Sequence, residues 1–95
     1  MEVIMRITQR DLERAVAKLN VLTANSITAY TRKDNDYKAN IGNYHIDYGY
    51  NRVSLVQIVN TGGGVSVILP GGTKAELYYQ TQAFIAGIEL GRKGH

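Results

Sequence analysis

The sequence predicts an α+β domain in the order helix, three antiparallel strands, helix, with both helices on one face of the sheet. Three observations carry this. Leu12, Ala15, Val16, Leu19 and Leu22 recur at i, i+3, i+4, i+7 and i+10, the spacing of one helix face. Two β-branched runs, Val53 to Val59 and Val65 to Leu69, flank Gly62-Gly63-Gly64, where glycine permits the positive φ of a hairpin turn. Thr73-Lys74-Ala75-Glu76 is an S/T-x-x-E capping box, which opens a helix. At 95 residues the chain forms one domain, 1–95, near the size at which a single core suffices.

In chain order, Met1 to Ile7 is apolar enough for a short strand or packed lead-in, and Thr8 offers a capping oxygen. The first helix runs from about Gln9 to Leu22, with Asp11 in the first turn where the helix dipole favours a negative charge. Arg6, Arg10, Arg14 and Lys18 fall on roughly the opposite face, as a solvated back or as a phosphate-contacting stripe. Thr23 to Asn40 turns polar and reads as a loop with a short extended piece at Ile27 to Thr31. Asp34-Asn35-Asp36 lacks the following Gly and distant Glu of a calcium loop.

Tyr37 to Tyr50 alternates as a half-buried strand, with Tyr44, Ile46, Tyr48 and Tyr50 on one side and Asn43, His45, Asp47 and Gly49 on the other. Asn51-Arg52 makes a turn into the second strand, Val53 to Val59, both of whose faces are largely apolar. The third strand, Val65 to Leu69, ends at Pro70-Gly71-Gly72. In the second helix Leu77, Tyr78, Thr81, Phe84, Ile85 and Ile88 recur at helical spacing up to about Leu90, with Gly91 as the stop and Gly94-His95 as a frayed tail.

The bulk composition narrows the function classes. The chain has no cysteine, hence no disulfide or thiolate metal site, and no apolar run near the roughly 20 residues that span a bilayer. The N-terminus has no signal pattern, so an intracellular address is expected. A net charge of +3 gives weak attraction to acidic partners without a basic arm. His45 and Asp47, two apart on one strand face and so about 7 Å apart, resemble an acid/base pair but lack a third group. No catalytic residue, metal or cofactor is expected. Gly62-Gly63-Gly64 lacks the Lys-Ser/Thr ending of a nucleotide-binding loop. Tyr78 and Tyr79 diverge by about 100° on a helix, so one of them faces outward.

Asp11-Leu12-Glu13 with Leu19-Asn20, Tyr30-Thr31, Asn43 to Tyr48, Val59-Asn60 with Gly62-Gly63-Gly64, Thr73-Lys74 with Glu76-Leu77-Tyr78, and Ala83-Phe84 form a further pattern. Over nearly the whole chain it resembles a widespread family of small uncharacterised bacteriophage proteins. The resemblance implies a phage or prophage origin and an accessory role in the cytoplasm of the infected host, a class in which counter-defence inhibitors are common. It carries over no site residue. The element order also looks like a double-stranded-RNA-binding domain, but that family needs a lysine cluster where Lys74 is followed by Ala75, Glu76, Leu77, Tyr78 and Tyr79.

The expectation is a non-enzymatic protein that binds a host protein or small molecule through Tyr44, His45, Asp47, Tyr48 and Arg52. The alternative is a nucleic-acid-binding module using Arg6, Arg10, Arg14, Lys18 and Lys74. Self-association as a homodimer is expected through Val53, Leu55 and Val59, placed on the sheet face away from the helices. No membrane partner is expected.

Overall fold

Helix α1 spans Gln9–Leu22 and helix α2 spans Lys74–Lys93. Between them lie β1 (Tyr30–Lys33), β2 (Asp36–Ala39), β3 (Tyr44–Gly49), β4 (Arg52–Ile58) and β5 (Val65–Gly72) in a computed structural model that describes residues 6–93. The lead-in expected at Met1 to Ile7 falls almost wholly outside the described residues, as does the Gly94-His95 tail. β3, β4 and β5 form an antiparallel sheet in that order, and β1 and β2 form a separate hairpin.

Both helices start at capping boxes. Thr8 accepts from the Asp11 N–H at 3.2 Å while the Asp11 carboxylate accepts from the Thr8 N–H at 2.8 Å. Thr73 and Glu76 make the same reciprocal pair, each bond 3.1 Å long. These contacts hold both carboxyls below their ordinary range, chiefly through the backbone N–H each accepts.

Leu12, Val16 and Leu19 of α1, Leu77 and Ile85 of α2, and Val53 and Leu55 of β4 make one buried cluster. Both helices therefore cover the same sheet face. They run side by side in the same direction, since Asp11, Arg14 and Lys18 share a groove with Tyr78 and Gln82, and Lys18 then meets Glu89 at 3.9 Å. Tyr44 packs edge-to-face on Phe84, ring centres 6.1 Å apart. A register shift on β5 brings Ile68 and Leu69 both against this core, as a bulge does when two consecutive residues oppose one.

This placement corrects the expected dimer surface. Val53 and Leu55 are 7% and 0% exposed against the helices; of the three residues expected outside, Val59 is the exposed one. The face away from the helices carries Val56, paired with His45 on one side and Val67 on the other, and Ile58, paired with Val65.

The stretch expected as a loop and as the start of one long strand folds as the β1–β2 hairpin instead. Asp34 and Asn35 both have positive φ, at 50° and 73°, which makes a two-residue type I′ reversal between Lys33 and its partner Asp36. β2 and β3 are then separated by the turn at Asn40 to Asn43. Apart from Ala39 the hairpin strands are exposed throughout. The radius of gyration is 14.6 Å, against about 12.4 Å for a compact domain of this length, so the hairpin projects from the body. Its base is anchored: the Tyr30 hydroxyl fills the space that a Cβ on Gly63 would need. Among the described residues no helix is long and apolar enough to cross a membrane.

Candidate binding cleft between α1 and β3

β3 is an edge strand, and its outer edge is partly closed by a side chain. Asn20, 1% exposed at the end of α1, donates from Nδ2 to the Tyr44 carbonyl at 2.9 Å and accepts from the Tyr44 N–H at 2.8 Å. Its carboxamide thus replaces the next strand for one residue. Because outward-facing backbone groups recur every second residue along an antiparallel strand, Ile46 and Tyr48 also turn their N–H and C=O outward. No hydrogen bond joins those groups to another described residue.

Beside this open edge lies a cleft of about 230 Å³ lined by Glu13, Val16, Tyr44, His45, Ile46 and Tyr48. Val16 and Ile46 make its floor apolar. The Tyr48 hydroxyl lies 3.4 Å from a Glu13 carboxylate oxygen, and burial followed by that carboxylate pushes the phenol above its ordinary value. Tyr48 stays half exposed at 50%.

His45 is held in one tautomer. Asn43, itself 1% exposed, donates from Nδ2 to the Ser26 carbonyl at 2.7 Å, which leaves its Oδ1 to accept from His45 Nδ1 at 3.0 Å. The proton is therefore on Nδ1, and Nε2 is an acceptor. Burial lowers the His45 pKa below its ordinary 6.5, and Asp47 opposes that shift. The imidazole is thus neutral at pH 7 and ready to receive a hydrogen bond.

Of the five residues expected to bind, Tyr44 and Tyr48 turn toward this cleft, while His45 borders it from a strand position that faces away from the helices. Asp47 is exposed on the face away from the helices, beside His45 in sequence but not bonded to it. Arg52 lies apart, donating to the Pro70 carbonyl at 2.7 Å and sharing a second groove with Lys74. Lys74 is thereby separated from Arg14 and Lys18, which line the groove between the helices. Among the described residues no three of His, Asp and Glu gather as a metal site requires. Sequence reasoning missed Glu13, Val16 and Asn20; the single polar residue following Leu19 on the buried side of α1 was the available signal for Asn20. No protein-family model matches the chain, and comparison with curated proteins and with solved structures returned no significant match.

Proposed function

We propose that the chain is a non-enzymatic binding protein that takes up an extended segment of a partner protein along the β3 edge, seating one apolar side chain in the α1–β3 cleft. The observation that carries this is the outward-facing backbone of Ile46 and Tyr48 beside the cleft, a combination used in strand addition. The volume weighs against a small molecule: about 230 Å³ lies below the roughly 300–1,000 Å³ of ligand pockets. Glu13 gives the rim negative charge, so the segment carries Lys or Arg beside its apolar residue. With the resemblance to small phage proteins, the partner is a host protein and the setting is the cytoplasm of the infected cell, where such a domain acts as a counter-defence inhibitor.

A heptapeptide library displayed on phage and panned against the purified chain tests this. Enriched peptides pair an apolar residue with Lys or Arg, protect the Ile46 and Tyr48 amides from exchange, and bind Tyr48→Ala or Glu13→Lys at least about tenfold more weakly, roughly 1.4 kcal/mol. Peptides that protect amides elsewhere would sink the reading.

The alternative, nucleic-acid binding, draws support from the projecting hairpin, which adds exposed Arg32, Lys33 and Lys38 to Arg10, Arg14 and Lys18 of α1. A gel shift at two salt concentrations tests it, since phosphate-driven binding weakens steeply with salt.

A further inference from the structure

The two edges of the sheet are treated differently, and the difference identifies a second interaction surface. On β5 the Gln80 carboxamide of α2 accepts from the Gly71 N–H at 3.0 Å and donates to the Gly71 carbonyl at 3.5 Å. This mirrors Asn20 on β3 and closes the C-terminal end of β5, where Pro70 also removes a donor. The N-terminal half stays open. Ile58 exchanges backbone bonds with Gly42 and Asn43 on the β3 side, so Val56 also faces β3, while Leu55 and Gln57 face β5. Ser66, opposite Gln57, therefore faces β4, and Val65 and Val67, opposite Ile58 and Val56, turn their N–H and C=O groups outward. No described residue bonds to them, and their side chains are 48% and 62% exposed.

Natural edge strands avoid pairing by carrying charge, proline or a covering element. Val65 to Leu69 has no charged residue at all. We infer that this edge pairs with the same edge of a second copy, antiparallel about a two-fold axis at Ser66. Val65 of one protomer then exchanges both backbone bonds with the partner's Val67, and the symmetric pair does likewise. Four hydrogen bonds form, and the exposed valines meet on the face away from the helices. An uncharged strand is self-complementary under this symmetry, even in a chain of net charge +3; the β3 edge would instead bring Asp47 and Glu13 toward their own copies. Two short strands bury less than the roughly 1,200–2,000 Å² of stable interfaces, so the dimer has a micromolar dissociation constant. It leaves the β3 cleft open and stands independently of the function proposed for it.

Sedimentation equilibrium of the full chain from about 5 to 500 μM, where a micromolar dimer titrates, tests the pairing. The wild type passes from monomer to dimer mass, and the Val65 and Val67 amides gain exchange protection with concentration while Ile46 does not. Val67→Lys holds the chain at monomer mass with an unchanged circular dichroism spectrum; Val67→Pro, which removes an outward donor only, does the same. Val59→Lys leaves the dimer intact. A monomer at 500 μM, a dimer that survives Val67→Lys, or protection that does not rise at Val65 and Val67 overturns the inference, and the wild-type exchange measurement decides it if a variant fails to fold.

Discussion

At the scale of single residues, polar groups decide more than their number suggests. Asn20 closes two backbone groups of Tyr44 that lie beside the core. Asn20→Leu strands both, and at about 1–3 kcal/mol for each unmade bond it destabilises the domain by roughly 2–6 kcal/mol, as urea denaturation measures. Thr81 is the opposite case: it is 0% exposed and its hydroxyl has no partner. Thr81→Val keeps the shape and removes the orphan, so the same measurement shows a gain of about 1 kcal/mol. His45 sets a pH dependence. Its folded pKa lies below the ordinary 6.5 because burial disfavours the cation, so the unfolded chain binds more protons in that window. Stability is full above about pH 7 and falls as pH drops through 6.5 toward the depressed folded value. Thermal melts of wild type and His45→Gln between pH 7.5 and 5.5 converge on a flatter profile for the variant. Asp11 and Glu76 act lower, their contribution being lost as pH falls below the ordinary carboxylate range.

At the scale of elements, the helix starts and the turns are local devices with local tests. Thr73→Ala removes the oxygen that accepts the Glu76 N–H and costs about 1 kcal/mol, read as a lower denaturation midpoint with an unchanged slope. The β5 strand depends on Gly71, whose φ is +67° and where a Cβ would run into the Val53 carbonyl oxygen. Gly71→Ala therefore displaces β5 from β4, with a cost above the roughly 1 kcal/mol of strain alone. The sheet's two helical carboxamides, Asn20 and Gln80, show a shared solution: each helix spends one polar side chain on stopping a strand edge.

At the scale of the whole molecule, the domain is one core between two parallel helices and one sheet face. Leu55 sits in the middle of it at 0% exposure. Leu55→Glu puts a carboxylate there and costs at least about 4 kcal/mol, a large part of the roughly 5–15 kcal/mol available to a domain. Circular dichroism of this variant shows a largely unfolded chain; a folded one would mean that Leu55 lies on a surface.

What the sequence determined by itself was local. The bounds of α1, its Thr8 cap, the Thr73–Glu76 capping box, the glycine turn and the β4–β5 hairpin follow from signals that act within about four residues, a helix turn or a cap. The cleft was half legible: Tyr44, His45 and Tyr48 stand out as residues, but Glu13 and Val16 reach them only because α1 folds back along β3. The β1–β2 hairpin was written in Asp34-Asn35 between Tyr30 and Tyr37, yet its exposed strands carry no hydrophobic alternation to announce them. Which face of β4 meets the helices was beyond the sequence. Val53 and Leu55 on one side and Val56 and Ile58 on the other are equally apolar, and a shift of one residue exchanges the faces. Only packing across the whole chain breaks that degeneracy, because Leu12, Leu19, Leu77 and Ile85 fit one side of the strand and leave the other to His45 and the valines of β5.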